Sequence, residues 1–372
     1  MTYLDHHAAA PLCEGAVRAM EEARRQAWAN PSSVHAAGRR ARAHLEGARD
    51  RVASALGARS ADVVLTAGGT EACNLGVLGL GRNADRVVTT DIEHPAVARA
   101  VERLGEAGAT VVRLPVPAGV APPPEALAAQ VRPGTVVAVQ WVNHETGTVL
   151  PVAEYARVCI EREALLFVDA TQAFGKLAVD VASLGAHAVA VAAHKMGGPA
   201  AAGAVWVRRD LDLEPVLAGG AQERGRRPGT LDVVAQAGFG AACEALPDRL
   251  GAMARLGAWR ERLEGFLRAR GAVPNGAAGH RVPTVTNVSA PGWKSEVLVA
   301  ALDLEGLCAA SGAACSSGLA EASPVVAAMH PEEAWRAASA LRLSLGPEVD
   351  EADVEHAEQV LERVLRRGPP RA

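Results

Sequence analysis

Seven short apolar runs, each closed by turn residues and most separated by a helical stretch, limit this chain to a mixed α/β architecture. The runs occupy residues 63–66, 86–89, 110–114, 136–139, 165–169, 188–192 and 204–207. Strands that alternate with helices are joined by crossovers, and crossovers place neighbouring strands parallel in one sheet. Ahead of the first run, VRAMEEARRQAW and RRARAHLEGARDRVASALG carry the apolar periodicity of helices. The character changes near residue 250, where the charged helix pattern RLGAWRERLEGFLRARG precedes the strand pattern RVPTVTNVSA. At 372 residues the chain has room for two packed units. The expected organisation is a large sheet domain over 13–250 and a smaller α+β domain built from 1–12 and 251–372.

Composition narrows the function classes. Lys and Arg number 38 against 42 acidic residues, a formal net charge of −4, so no bulk field draws the chain to nucleic acid or to a membrane surface. No apolar stretch has the length of a membrane span, and the opening MTYLDHHAAAPL lacks the pattern of a secretory signal. The six cysteines, at 13, 73, 159, 243, 308 and 315, form no CxxC pair. That scatter reads as reduced thiols in a cytoplasmic protein, with no metal site expected.

Five segments have chemistry to offer. In HAVAVAAHKMGGP a strand runs into Lys195, a place that suits an amine forming a Schiff base and equally suits a solvated loop lysine. In LLFVDATQAFGK a strand ends at Asp169, where a carboxylate points into the ligand crevice of an open sheet or caps the next turn. VVLTAGGTEACNL places Gly68, Gly69 and Thr70 between a strand and a helix, an anion cradle or an ordinary capped loop. TTDIEHPAV sets His94 after a strand, able to stack on a planar ring or simply to pack. CAASGAACSSGLAEASP holds Cys315 among small residues, which reads as an accessible, mobile thiol or an incidental one. Taken together, the five are complementary parts of one catalytic site.

These segments resemble, across nearly the full length and in the same order, the NifS/IscS-type cysteine desulfurases of the class V aminotransferase family. YLDHHAAAP resembles that family's YLD-x-x-A-T-x-P opening, and Asn30-Pro31-Ser32-Ser33 with His35 resembles N-P-S-S-x-H. TAGGTEACNL, EHPAV, DATQAFGK and HKMGGP resemble T-S-G-x-T-E-x-x-N, E-H-x-A-V, D-x-x-Q-x-x-G-K and S-x-H-K-x-x-G-P. ERGRRPGT, SGAAC and LRLSLG resemble E-R-x-x-R-x-G-T, S-G-S-A-C and I-R-x-S-L-G.

The resemblance implies the fold of pyridoxal-phosphate-dependent transferases, similar to aspartate aminotransferase, with a large, mostly parallel seven-stranded sheet domain and a smaller α+β domain. It implies pyridoxal 5′-phosphate as cofactor and L-cysteine as substrate, converted to L-alanine with sulfur passing to an acceptor protein. It gives Lys195 the covalent bond to the cofactor, Asp169 the ring nitrogen, Gln172 and His144 the phenolic oxygen, and His94 the ring face and a proton transfer. Gly69, Thr70 and His194 fall to the phosphate, as does Thr230 from the neighbouring subunit of a homodimer. Arg342 and Asn30 fall to the substrate, and Cys315 becomes the persulfide carrier on a flexible loop.

The chain departs from the family pattern at Ala192, where a phosphate-binding serine is usual. It departs again at His144 for asparagine, at Gln222 for histidine and at Ala200 for lysine. Those changes leave open a different pyridoxal reaction, such as transamination or selenocysteine lysis. They also leave open a non-catalytic sulfur-transfer scaffold.

Overall fold

A computed structural model describes residues 1–312 and 322–369. The chain opens on a two-residue strand β1 (Thr2–Tyr3). The large sheet is then built from β2 (Val63–Thr66), β3 (Arg86–Thr90), β4 (Thr110–Leu114), β5 (Thr135–Gln140), β6 (Leu165–Asp169), β7 (Ala188–Ala192) and β8 (Gly203–Val207). All seven strands lie within a residue or two of the apolar runs. Their spatial order is β2-β8-β7-β6-β5-β3-β4.

Pairings among β3 to β7 are parallel, whereas β8 runs antiparallel to both β7 and β2. The sequence pattern, read as crossovers, does not show that reversal. Its cause is length: too few residues separate Ala192 from Gly203 for the dozen or more that a parallel crossover needs.

Alternate residues of the central strands face opposite sides, and both sides are covered. Val63, Leu65, Val137, Val139, Leu166 and Val168 enter one apolar core, while Val64, Ala138 and Phe167 enter the other. Strands buried on both faces read as unbroken apolar runs, which is why these were conspicuous in the sequence.

Beyond the large sheet, β9 (Val273–Pro274), β10 (Val285–Ser289) and β12 (Ala340–Ser344) form a three-stranded antiparallel sheet, and β11 (Leu307–Cys308) pairs with β1. Their separate core joins Leu4, Leu263, Val288, Leu298, Leu341, Leu343 and Leu361. Leu4 carries the first residues of the chain into this core. The adjoining Asp5–His7 stretch thereby reaches β12, where His6 N donates to Ser344 O at 3.3 Å and His7 N to Ser344 Oγ at 2.9 Å.

Among the described residues no helix is long and apolar enough to cross a membrane, and no group of three or more metal-ligating side chains occurs.

Candidate active site

Carboxyl ends of parallel strands are where open α/β sheets place their ligands, and the register aligns three of them here. Gln140 of β5 pairs with Asp169 of β6, which pairs with Ala190 of β7. A cavity of about 370 Å³ opens above them. It brings together Gly69, Thr70, His94, His144, Asp169, Gln172, His194, Lys195 and Arg342, nine residues singled out from the sequence.

Lys195 sits in the short connection from β7 to β8. Its Nζ donates to His7 O at 2.6 Å and to Ala8 O at 2.8 Å, so the N-terminal stretch holds the amine at the cavity wall. Asp169, 5 % exposed, accepts from Thr171 N at 2.9 Å through Oδ1. Gln172 donates through Nε2 to His7 O at 2.8 Å and accepts from Lys176 Nζ at 3.0 Å. The sequence did not point to Lys176. Burial, and then the charges of Lys195, Arg249 and Arg342, push its pKa far below the usual lysine value. Its amine braces the Gln172 side chain.

At the far wall, the 13-residue helix Gly69–Gly81 starts from Gly68, whose φ of 141° excludes an ordinary side chain. A Cβ on Gly69 would lie 3.0 Å from Ala192 Cβ and 3.4 Å from Thr171 Oγ1. Both glycines thus keep the helix N-terminus open and close to the cavity. His194 Nδ1 and Thr171 Oγ1 are buried there with no hydrogen-bond partner. Burial, and then Lys195, lower His194 to about 4. A helix N-terminus, a neutral imidazole and a spare hydroxyl form a donor set suited to a phosphate.

His94 caps the helix Pro95–Glu106, its Nδ1 accepting from Ala96 N at 3.1 Å. That bond leaves the ring proton on Nε2. Burial lowers the His94 pKa, opposed by Asp169. The His144 ring meets it edge-on, with centroids 5.2 Å apart and planes at 82°. Burial and the neighbouring cationic groups hold His144 neutral, well below the usual histidine range. Its Nδ1 is buried without a partner, so the histidine offers a polar atom where the family has an amide. Cys73 also lines the cavity, and burial next to Asp169 pushes its thiol up, keeping it protonated.

Arg342, on β12, is 2 % exposed. It donates from Nη2 to Asp5 Oδ1 at 2.6 Å and from Nη1 to His144 O and Gly312 O, both at 3.0 Å. Its Nε is buried without a partner, leaving a donor for an incoming carboxylate. Asp5, in the YLD opening, is the counter-ion that the sequence did not reveal.

Two expected site residues lie elsewhere. Asn30 is exposed and does not line the cavity; its Oδ1 accepts from Ser32 N at 2.8 Å and so braces its own turn. Thr230 lines a second cavity of about 640 Å³, with Pro31, Ser32, Arg49, Gln222, Glu223 and Arg224. Cys315 lies outside the described residues.

The sheet topology, the lysine between β7 and β8, the carboxylate on β6 and the anion-binding helix end together define a pyridoxal-phosphate enzyme, and the polar groups present fit that cofactor. The family described as Aminotransferase class-V matches residues 2–356. An IscS-like cysteine desulfurase of Mycobacterium tuberculosis is 40 % identical over 99 % of this chain and 97 % of its own. Cysteine desulfurase IscS 1 of Archaeoglobus fulgidus is 35 % identical over 99 % and 97 %. Among solved structures, a NifS-like protein superposes with a TM-score of 0.91 at 28 % identity, over 99 % of this chain and 100 % of that one. SspA in complex with cysteine gives 0.82 at 27 %, over 93 % and 99 %. The chain belongs to the class V aminotransferases, among the NifS/IscS-type cysteine desulfurases.

Proposed function

We propose that the protein takes sulfur from L-cysteine onto Cys315, releasing L-alanine, and hands it to an acceptor protein in the cytoplasm. The observation that carries this reading is the convergence of Lys195, Asp169, His94 and Arg342 on one cavity from four distant parts of the chain. When bound, pyridoxal phosphate supplies an electron sink for negative charge at the substrate Cα.

The protein's own groups do the rest. Gly69, Thr70 and His194 bind the phosphate; Asp169 holds a proton on the ring nitrogen; Gln172 and His144 address the phenolic oxygen. Arg342 orients the substrate carboxylate, and Lys195 Nζ removes the Cα proton. His94, with its proton on Nε2, serves as donor for the transfers around the substrate thiol. The Cys315 thiolate attacks the substrate sulfur. A sulfur–sulfur bond forms as the carbon–sulfur bond breaks, the electron pair stays on carbon, and a proton there completes alanine.

The reading extends to a homodimer in which Thr230 reaches the partner's phosphate site. Its support is the placement of Thr230 and Pro31 around a cavity away from Lys195, together with the exposure of Trp28 and Val34, which flank Pro31 in the sequence.

Alanine and sulfide released from L-cysteine with a dithiol present test the activity; neither product would reject it. Arg342→Lys replaces the planar fork with a single ammonium. The KM for L-cysteine is expected to rise about tenfold or more, with a smaller fall in kcat, and an unchanged KM would remove Arg342 from the substrate. Ala192→Ser restores a hydroxyl beside Gly69. A hydrogen bond of about 1 kcal/mol tightens cofactor binding roughly fivefold in apoenzyme reconstitution, and an unaltered Kd would separate residue 192 from the phosphate.

A further inference from the structure

The segment carrying Cys315 leaves the described structure after Gly312 and returns at residue 322. Both ends are tied to one buried cluster beside the cavity. At the first end, Gly312 O accepts from Arg342 Nη1, and Ala310 exchanges backbone hydrogen bonds with Arg342. At the second, Ser323 Oγ donates to Glu145 Oε2 at 2.5 Å while accepting from Val326 N at 3.0 Å as the N-cap of Pro324–Met329.

Glu145 stands between them. Gly312 has φ 110°, and a Cβ there would fall 2.5 Å from Glu145 Oε2 and 3.6 Å from Ser323 Cβ. The carboxyl is fully buried, yet its Oε1 has no hydrogen-bond partner, with His144 Nε2 3.8 Å away. Such a group costs stability, so its retention asks for another reason. Burial, opposed by Ser323 and then Arg342, raises Glu145 to about 7.

The turn that holds Glu145 is itself rigid. Asn143 Oδ1 accepts from Glu145 N, Thr146 N and Thr146 Oγ1 at 2.9–3.0 Å, and Asn287 Nδ2 donates to Glu145 O at 3.4 Å. The same turn presents His144 to the cavity and the His144 carbonyl to Arg342.

From this juxtaposition we infer that Glu145 is a positioning residue for sulfur transfer, fixing with Ser323 both ends of the Cys315 segment against the wall that binds the substrate carboxylate. The inference rests on the reading of Cys315 as sulfur acceptor and Arg342 as carboxylate site. Arg342 then reads two things at once, the substrate and the Gly312 end, so that a seated substrate and a correctly placed thiol depend on one guanidinium.

Holoenzyme carrying Ser323→Ala tests it, with Ser323→Thr as the conservative rescue. Loosening the thiol's anchor misplaces an attacking atom, which costs about tenfold or more in rate. The alanine-forming kcat is expected to fall by that factor while KM for L-cysteine holds within about twofold. Iodoacetamide labelling of Cys315, followed on its peptide by mass spectrometry, is expected to change rate in Ser323→Ala and recover in Ser323→Thr. Gly312→Ala disturbs the other end, and because Gly312 O is held by Arg342 it is expected to lower kcat and raise KM for L-cysteine together; an unchanged kcat in this variant would count against the positioning role. A Ser323→Ala enzyme that melts earlier for want of its helix cap, yet keeps wild-type kcat and Cys315 labelling, would overturn the positioning role. Wild-type enzyme that forms no alanine from L-cysteine would overturn the underlying reading instead.

Discussion

Cys315→Ala enzyme is expected to keep the yellow band of bound cofactor and to lose alanine and sulfide formation by at least about a thousandfold. The cofactor contacts are assigned to groups around Lys195 and Asp169, all of which the variant keeps. What disappears is the only nucleophile assigned to the substrate sulfur. Cys73 is no substitute, although it lines the same cavity, because its buried thiol beside Asp169 stays protonated and the thiolate is the reactive form. Absorbance spectra together with amino-acid analysis of the product check both halves. Turnover retained in Cys315→Ala would move the sulfur acceptor elsewhere.

Lys195→Ala is expected to be the more damaging change, because one amine serves both cofactor attachment and proton removal. The visible band of the lysine-bound cofactor disappears, and alanine formation falls by at least about a thousandfold. In the folded protein the lysine is held by the carbonyls of His7 and Ala8, two acceptors that lose a charged partner without burying a new one. The variant is therefore expected to fold, and circular dichroism with its melting curve checks that. A band that survives the substitution would place the attachment on another residue.

Much of this was legible in the chain. Most strands of the large sheet announced themselves because both their faces are buried, which leaves apolar runs with sharp ends at turn residues; the edge strand β4 is half exposed. Asp169 was readable because it ends such a run and Lys195 because it comes soon after one, and position at a strand's end is itself a statement about the crevice. The reversed direction of β8 was not readable, since a strand's polarity follows from the length and path of its connection rather than from its own residues.

The supporting contacts were hidden for a different reason. Asp5 meets Arg342, Glu145 meets Ser323, and the His7 carbonyl meets both Gln172 and Lys195, all across long stretches of chain. A sequence names side chains but not partners so far removed, and a carbonyl has no letter at all. Lys176 illustrates the point: in DATQAFGK it looks like one more basic residue, and only its burial under Gln172 gives it a task. Asn30, another motif residue, uses its Oδ1 within its own turn, a contact that the motif does not reveal.

The most direct measurement is a single turnover without reductant. Holoenzyme receives one equivalent of L-cysteine, the small-molecule product is quantified, and the peptides are then weighed by mass spectrometry. The result expected is one equivalent of L-alanine and one added sulfur atom on the peptide containing Cys315. Alanine absent, or the extra sulfur found on Cys73 or any other cysteine, would contradict it.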